Sequence, residues 1–554
     1  MSERSHLRYW LTAAAVNAGG LLGVVALFLW NERSLASASG LAPGGGFPLD
    51  DAWIHLQLAR NFSLGHGMYF NAGDPVSASS APLWTLALSI LHWLSGEEIV
   101  STVKALGVLL LWGSGMAAFG LALALRLPFG LALLTSLIST ITPRLVWGGL
   151  SGMEIPLYTL LSTAGIWLHV RSAGGRARPW TTILLAAAAL ARPECLMLFP
   201  LALLDRWRLE GGSVQAFLRR HWRHVLLYAV ILAPFLIFNF ATLGRPLPNT
   251  FYAKVGGYGF VGAALRMDLV QVARTLLYFP LQQAEELIRF SAQNSVLLTC
   301  LVPLGIWRLL DSSRQVPQQE PPKQGHKRDE SAARSWLIPM VIVAFPLLRG
   351  VVAPFQGALF QHGRYAANLV PLLTVVGVLG LWQLLDLLRQ RPESGAARRC
   401  ARWAFPFAWL VLLVNLSVRE VEYARTYAGN VSEIDTLHIE MAHWLRENTP
   451  ADATIATHDI GALGYFARRR LLDTTGIITP CVLEYLRPGV AADSGVLAYL
   501  QTARPDYLVI LPGWYPRLAE RRDLFEPVHE VAIEAHSISA GDRLIAYRTI
   551  WASK

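Results

Sequence analysis

Two adjacent carboxylates, Asp50 and Asp51, are the residues of this sequence best suited to chemistry. They follow a glycine-rich stretch and open a short amphipathic segment that is predicted to be helical as far as Asn61. A carboxylate beside a bound hydroxyl can remove its proton, as a general base does. Adjacent side chains diverge at a helix start, so the two cannot both face one reacting carbon. We predict Asp50, the first of the pair, as the base, and Asp51 as the helix N-cap or a residue that orients the base.

Other polar and ionisable side chains stand in short motifs between apolar runs. The candidates for the same site are His55, Glu154, Arg192, Glu194, Asn249, Lys254, His362 and Arg364. Structural roles are the alternative for many of them. Glu154 could be a hydrogen-bonding residue near a helix end, and Arg192 could simply pair with Glu194. Long cationic side chains can reach lipid headgroups, and His362 could be structural.

Metal and cofactor chemistry finds little support in the sequence. His55 and His66 could join the acidic pair as ligands of a divalent ion, but their spacing matches no standard site. The four cysteines are far apart and form no C-x-x-C pair. We therefore predict no metal and no other cofactor.

The elements that must position these residues are membrane helices. The chain has 554 residues, of which 53% are hydrophobic and 16% charged, whereas soluble domains carry about 25% charged residues. Eleven apolar runs lie near residues 9–30, 99–125, 128–147, 155–170, 180–191, 195–205, 224–241, 294–310, 335–353, 366–388 and 403–418. They predict a polytopic α-helical membrane protein with about eleven spans. The first run could be a signal peptide, but it is longer than signal sequences usually are.

Charge asymmetry predicts which side of the membrane each loop occupies. If the N-terminus is inside, every inner loop is rich in Lys and Arg, as the positive-inside rule requires. Lys and Arg residues in loops next to anionic lipid thus account for the formal net charge of +10. No nucleic-acid partner is predicted. The polar segment 315–330 then reads as a disordered cytoplasmic loop. All the candidate site residues fall on the outer face of the cytoplasmic membrane.

Two domains are predicted. Residues 1–419 form the transmembrane domain, with a large first outer loop over residues 31–97. Residues 180–191 and 195–205 are short, so they predict two half-length helices that meet at Arg192-Pro193-Glu194. Residues 420–554 lack a span and alternate helical and strand-like patterns, which predicts an extracytoplasmic α/β domain.

Taken together, these residues favour one kind of reaction. Ionisable residues at membrane depth are costly and point to function. A carboxylate can activate a hydroxyl acceptor, and cations can stabilise a departing phosphate. No nucleotide pool exists outside the cytoplasmic membrane, and the chain has neither a Walker loop nor a dinucleotide fingerprint. An activated sugar on this face would have to arrive on a lipid phosphate.

The sequence also resembles the GT-C superfamily of polyprenyl-phosphate-sugar glycosyltransferases, and within it bacterial members such as the mycobacterial terminal arabinofuranosyltransferases. The resemblance is carried by Asp50-Asp51-Ala52-Trp53-Ile54, Gly65-His66-Gly67, Ser79-Ser80-Ala81-Pro82, Ser151-Gly152-Met153-Glu154, Arg192-Pro193-Glu194, Asn249-Thr250-Phe251-Tyr252-Ala253-Lys254, His362-Gly363-Arg364-Tyr365 and His458-Asp459-Ile460-Gly461. It implies a catalytic Asp near the start of the first outer loop and transfer with inversion. By position, Asp50 matches the first residue of the family's acidic pair, and Lys254 and Arg364 match basic positions expected near the lipid phosphate.

The function predicted is transfer of a monosaccharide from a polyprenyl-phosphate donor to a hydroxyl of a cell-envelope glycan, lipid or protein, with an arabinofuranosyltransferase as one possibility. Two alternatives remain open: a transporter or flippase of lipid-linked sugars, and a binding or scaffold protein. A transporter should have repeated halves and ionisable residues near the membrane midplane. No repeat is visible, and the sequence does not identify the sugar.

Overall fold

The computed structural model describes residues 3–38, 45–173, 175, 177–255, 260–311, 335–354, 356–389, 395–487 and 489–551. The segment 315–330, predicted to be disordered, lies outside these ranges. Helices dominate the first part of the chain. They are α1 (Glu3–Ala38), α2 (Asp50–Ser63), α3 (Pro82–Ser95), α4 (Val100–Ala124), α5 (Phe129–Ile141), α6 (Pro143–Leu150), α7 (Ile155–Ser172), α8 (Pro179–Ala191), α9 (Leu198–Glu210), α10 (Val214–Leu243), α11 (Asn249–Val255), α12 (Phe260–Leu265), α13 (Leu269–Ala273), α14 (Phe279–Asn294), α15 (Val296–Leu310), α16 (Leu337–Val352), α17 (Leu369–Arg389) and α18 (Gly395–Ile434).

The helices form a multi-pass membrane architecture, in which the described residues supply fewer clear spans than the eleven predicted. Among the described residues, α1, α4, α10 and α17 are long and apolar enough to cross a membrane, and the bent pair α5 and α6 makes a fifth span if counted as one. Helices α8, α15 and α16 are apolar but shorter. Each of the eleven apolar runs overlaps a helix, yet eleven spans are not confirmed. Several helices fall short of the roughly 20 residues that a hydrocarbon core requires.

Close helix packing depends on glycine at two crossings. A Cβ added at Gly107 on α4 would lie 1.8 Å from the Gly149 carbonyl oxygen, and one at Gly305 on α15 would lie 2.0 Å from the Val376 carbonyl oxygen. Only a residue without a side chain permits these backbones to approach so closely, as small residues do in membrane helix bundles. The apolar core of the bundle is therefore dense.

The predicted break in the helix between residues 191 and 198 is present. Helix α8 ends at Ala191, Arg192 is extended, and a 3₁₀ turn over Pro193–Met197 leads into α9. Arg192 is extended because the proline that follows it disfavours the helical conformation. This local irregularity turns the side chains of Arg192 and Glu194 away from the regular helix surface and towards a cavity.

The first loop packs against the C-terminal part of the chain. The Asn61 side chain on α2 donates to the carbonyls of Tyr69 and Phe70, which folds the loop back on the helix. The Asn71 side chain then donates to the Leu471 carbonyl 2.9 Å away. These hydrogen bonds join α2 to the C-terminal sheet.

The C-terminal region contains a mixed sheet, as its pattern predicts. Its elements are α19 (Glu440–Asn448), β1 (Thr454–Thr457), α20 (Gly461–Ala467), β2 (Arg470–Asp473), α21 (Ala492–Ala503), β3 (Tyr507–Ile510), α22 (Pro516–Ala519), β4 (Phe525–Ala532) and β5 (Arg543–Thr549). The strand order is β2-β1-β3-β5-β4, with β1 parallel to both β2 and β3. Strands β2 and β3 thus lie on opposite sides of β1, and the connection from β2 to β3 crosses over β1.

The link between the two regions is helical. The predicted boundary at residue 419 falls inside α18, which continues through a π-helical turn over Asp435–Ile439 into α19. The amino-terminal portion of α18 coincides with the last apolar run, and its carboxyl-terminal portion packs beside α6 and the sheet domain. One nearly continuous helical segment therefore belongs to both regions.

Candidate active site

Asp51 is the acidic residue of α2 that faces a cavity. Its carboxylate accepts a hydrogen bond from Nη1 of Arg364 at 2.6 Å, and one third of its side chain remains exposed. Burial by itself would raise the pKa of Asp51, but the charges of Arg364 and Lys254 outweigh it and hold the pKa well below its usual range. Asp51 is therefore an ionised hydrogen-bond acceptor at the cavity wall.

The next helical turn adds His55 to the same face of α2. Residues four apart lie one above the other on a helix, and Asp51 and His55 both line the cavity. Nε2 of His55 lies 3.4 Å from Oε2 of Glu154. Burial and the cations around it lower the pKa of His55 to about 4, so the imidazole is neutral at pH 7.

A chain of alternating charges forms the opposite wall. Arg192 contacts Glu154 through Nη1, and its Nε lies 3.1 Å from Oε2 of Glu194. The other Glu194 oxygen accepts from Nη1 of Arg349 at 2.9 Å. Glu154 is 1% exposed, and a buried charge of this kind is tolerated only when it is paired. The network fixes two guanidinium groups beside the cavity.

Tyr365 lies at the centre of these cations. Its ring is flanked by the Arg192 and Arg349 guanidinium groups, whose central carbons lie 4.4 and 4.3 Å from the ring centroid. Arg364 donates to the Tyr365 hydroxyl at 3.2 Å. Burial would raise the pKa of this phenol, but the surrounding cations lower it to about 8. An anion entering the cavity would meet the same positive field.

The cavity has a volume of about 340 Å³ and a predominantly apolar wall. Lys254, at the end of α11, also lines it, and no ion pair of Lys254 occurs within the described part of the chain. The apolar part of the wall comes from Leu196, Leu247, Phe251, Phe345, Leu348 and Val352, and Ile477 is contributed by the C-terminal domain. Such a site suits a ligand with one charged group and a long apolar portion.

Asp50, the predicted base, does not line this cavity. Its two carboxylate oxygens accept hydrogen bonds from the backbone N–H groups of Gly461 and Ala462, at 2.8 and 2.7 Å. Burial raises its pKa to about 6. The predicted N-cap role of Asp51 is wrong, because Leu49 is the N-cap of α2 and no side chain caps the helix. Asp51 faces the cavity, and Asp50 faces the C-terminal domain.

Two other candidates are also placed outside the cavity. The Asn249 side chain donates to the carbonyls of Gly476 and Ile477, so it connects α11 to the C-terminal domain. The His362 ring packs against Trp147 in a tilted arrangement, with ring centroids 4.5 Å apart, and its carbonyl accepts from Arg144. Neither residue lines the cavity.

The alternative metal site is not assembled. His55 is buried at the cavity, whereas His66 is exposed in the turn beyond α2. Asp50 and Asp51 point to different regions. Within the ranges that the structure describes, no group of three or more His, Cys, Asp or Glu residues could hold a metal ion.

Arg349 is the main site residue that the sequence analysis missed. It lies within an apolar run, and that isolated cation was the available signal, since charged residues inside membrane helices are rare and functional. In the structure it is 6% exposed and paired with Glu194.

Comparison with known proteins gives two kinds of relationship. A family described as a domain of unknown function (DUF8728) matches residues 422–547. The terminal beta-(1->2)-arabinofuranosyltransferase of Mycobacterium tuberculosis is 28% identical over 421 residues, which is 69% of this chain. The chain spans about three fifths, 61%, of the length of that relative.

Solved structures resemble the whole chain. ArnT from Cupriavidus metallidurans, bound to undecaprenyl phosphate, has a TM-score of 0.52 and 13% identity, and the match covers 96% of this chain and 97% of that one. The Archaeoglobus fulgidus oligosaccharyltransferase AglB, in complex with an inhibitory peptide and a dolichol-phosphate, has a TM-score of 0.51 and 13% identity over 88% of this chain and 69% of its own. At these identities the likeness shows the fold.

Proposed function

We propose that this chain, which has the fold of the GT-C membrane glycosyltransferases, is an inverting glycosyltransferase that uses a polyprenyl-phosphate sugar. It moves one monosaccharide to a hydroxyl of a cell-envelope glycan, lipid or protein on the outer face of the cytoplasmic membrane. The observation that carries the proposal is the ionised Asp51 carboxylate beside several cations at an apolar cavity.

In the proposed reaction Asp51 is the base. Its free oxygen removes the proton of the acceptor hydroxyl while the hydroxyl oxygen attacks the anomeric carbon. The bond from that carbon to the donor phosphate breaks, and the phosphate leaves with the electron pair. One carboxylate is enough for this single displacement, because no covalent sugar intermediate forms.

Arg364 connects the base to the leaving group. A carboxylate paired with a guanidinium is a weak base, since the ion pair favours its ionised form. A donor phosphate in the cavity would compete for the same guanidinium and weaken its pairing with Asp51. The pKa of Asp51 would then rise towards the operating pH, which is where a general base is most effective. Donor binding would in this way activate the base.

The donor is inferred from the cavity and from the relatives. Lys254, Arg192, Arg349 and Arg364 could together neutralise a phosphate, and the apolar wall could hold the beginning of a polyprenyl chain. ArnT was solved with undecaprenyl phosphate, and the name of the mycobacterial relative specifies arabinofuranose. We therefore propose arabinofuranose as the first sugar to test.

The test is turnover in membranes that contain the protein. Synthetic polyprenyl-phosphate arabinofuranose and an arabinofuranosyl acceptor are added, and free polyprenyl phosphate is followed by mass spectrometry together with the lengthened acceptor. Wild type should release both products in equal amounts, and Asp51→Asn at matched expression should release almost none. Equal release by both proteins would contradict the proposed base.

Sidedness needs a separate test. In a cysteine-free background, single cysteines replace Gln501 in the C-terminal domain and Gln215 in the first turn of α10, both of which are exposed. The cysteine at 501 should react with an impermeant maleimide in intact cells, and the cysteine at 215 only after permeabilisation. The reverse pattern would contradict the proposed orientation.

A further inference from the structure

The C-terminal sheet has a topological switch point next to the cavity. Strand β1 lies between β2 and β3, and all three are parallel. The connection after β1 leads to one side, and the connection after β2 leads to the other. In open α/β sheets, ligands bind outside the carboxyl ends of the strands at such a point. Here the loops after β1 and β3 meet there, and we call the surface formed by His458, Asp459, Trp514 and Tyr515 the switch-point surface.

Asp459 supplies a hydrogen-bond acceptor on this surface. One of its oxygens lies 3.1 Å from Nε2 of His438 and 3.5 Å from Nε2 of His458, and 27% of the side chain is exposed. Burial would raise the pKa of Asp459, but the two imidazoles lower it. An ionised carboxylate accepts hydrogen bonds from hydroxyl groups and repels phosphates.

Trp514 supplies an apolar plane on the same surface. Its side chain is 44% exposed, and its ring lies 4.8 Å from the ring of His458. His458 therefore stands between the indole and the Asp459 carboxylate. The negative face of an aromatic ring attracts the weakly positive C–H groups of a sugar ring. A flat aromatic surface beside a carboxylate suits a polyhydroxylated ring better than an anion or a wholly apolar ligand.

His458 adds an independent indication of a ligand. Its side chain is fully buried, and Nε2 only approaches the Asp459 carboxylate at 3.5 Å, so within the described ranges neither ring nitrogen makes a hydrogen bond. A buried polar group without a partner costs about 1–3 kcal/mol. A hydroxyl group brought by a ligand would provide the partner.

The position of this surface relative to Asp51 fits an acceptor. Gly461 and Ala462 are bound by the Asp50 carboxylate, and Asp459 precedes Gly461 by two residues. Consecutive Cα atoms are 3.8 Å apart, so the Cα of Asp459 lies within about 8 Å of the Cα of Gly461. Asp50 is the neighbour of Asp51 in the chain. A short oligosaccharide can therefore touch both Asp51 and Asp459.

From these observations we infer that the switch-point surface is a carbohydrate subsite that binds an inner sugar of a glycan acceptor while the terminal hydroxyl lies at Asp51. The inference rests on the proposed function for the identity of the acceptor. It narrows the acceptor from glycan, lipid or protein to a glycan with at least two sugars, recognised by Asp459 and Trp514.

The test is direct binding, which needs no turnover. The full-length protein in detergent is titrated calorimetrically with methyl glycosides of one to four arabinofuranosyl units. We expect the affinity of wild type to rise about tenfold or more from one unit to three, as one charge-assisted hydrogen bond and one stacking contact would give. Asp459→Asn and Trp514→Ala should each remove most of this gain, and Trp514→Phe should keep part of it.

A matched control lies at the other end of β1. Asp452 is exposed just before the amino end of this strand, whereas Asp459 follows its carboxyl end, so Asp452→Asn should bind like wild type. The inference is overturned if wild type shows no gain with length, or if Asp459→Asn and Trp514→Ala keep it in full. Since binding is measured without donor, such a result is distinct from failure of the proposed function, which the Asp51→Asn turnover assay reports.

Discussion

Asp50 and Asp51 are neighbours in the chain, but they serve two regions with different electrostatics. On the cavity side, Asp51 meets guanidinium and ammonium groups and keeps part of its surface free. On the junction side, Asp50 meets two backbone amides of the C-terminal domain and the imidazole of His438. The cavity side has an excess of cationic side chains that a ligand in the cavity could also bind. The junction side has fixed backbone partners that hold two parts of the protein together.

The difference shows how a carboxylate acquires its role from its partners. Backbone N–H groups cannot be withdrawn from Asp50 without separating α2 from α20, so this acid is suited to joining domains. The partner of Asp51 is instead a side chain, Arg364, that lines the cavity, where we propose that a donor phosphate competes for it. The adjacent positions make the two roles dependent on each other, because Asp50 fixes the place from which Asp51 extends.

The assignment of different roles to Asp50 and Asp51 would be contradicted most clearly if Asp51 were dispensable. Asp51→Asn removes the proposed base but keeps the size of the side chain, so turnover should fall by about 10²–10⁴. Expression and the midpoint of thermal unfolding should stay close to wild type, because Asp51 is partly exposed. Initial rates of polyprenyl phosphate release at saturating donor give the measurement, and a rate within threefold of wild type, about 0.7 kcal/mol of barrier, would refute the assignment.

Lys254 and Arg364 test whether the cations of the cavity act on the donor. Lys254→Ala and Arg364→Ala should each lower turnover at subsaturating donor about 10- to 100-fold, as expected for loss of a charge-assisted contact of about 1.5–3 kcal/mol. Arg364→Lys should restore only part of the rate, because lysine lacks the planar fork of donors. Arg289→Ala is a suitable control, since this residue on α14 is exposed and pairs, among the residues that the structure describes, only with the exposed Glu285. Wild-type rates in both alanine variants would contradict the role.

Asp50→Asn should affect the junction more than the chemistry. An asparagine amide keeps one acceptor but places an NH₂ group against the second backbone N–H, so docking of the C-terminal domain should weaken by about 1–3 kcal/mol. We expect faster limited proteolysis between the two regions and a turnover reduced by less than tenfold. If Asp50→Asn were as inactive as Asp51→Asn while resisting proteolysis like wild type, the base would be Asp50.

The smallest expected effect is a pH dependence of the junction. Burial would lower the pKa of His438, but the hydrogen bond and charge of Asp459 raise it above its usual value. A group with a raised pKa in the folded state stabilises the fold fully below its unfolded pKa of about 6.5 and loses that contribution as pH rises through the folded value. The free energy of unfolding of His438→Gln should therefore fall below that of wild type by about 1 kcal/mol near pH 6. The difference should be smallest near pH 9. A difference that grows with pH would contradict the ion pair.

Much of the architecture could be predicted from periodicity alone. Strand-like runs are predicted near residues 453–457, 470–473, 507–511, 528–533 and 544–549, and each overlaps a strand. The break at Arg192-Pro193-Glu194 follows from the proline and from the short apolar segments on either side. The number of spans could not be predicted in the same way. A run of apolar residues forms a helix whether it crosses the bilayer or packs inside the protein.

The predicted site residues Asp51, Glu154, Arg192, Glu194, Lys254 and Arg364 all line one cavity, although they are far apart in the sequence. Which of the two carboxylates faces the cavity could not be predicted from the sequence. It depends on backbone amides that bind Asp50 and that lie more than 400 residues away in the chain. Side chains of adjacent residues on a helix differ in direction by about 100°. Sequence order alone does not say which direction leads to the cavity.

The helix that runs from the membrane region into the sheet domain also limits how the protein can change in length. One residue inserted into α18 would rotate everything beyond it by about 100° and advance it by about 1.5 Å. Asp459 and Trp514 would then face away from Asp51, although every local contact within the sheet would survive. Insertions of seven residues, about two turns, would nearly restore the phase. We therefore expect this helix to differ in length between homologous proteins by whole turns. Its length sets the distance between the two regions, and its phase sets their relative orientation.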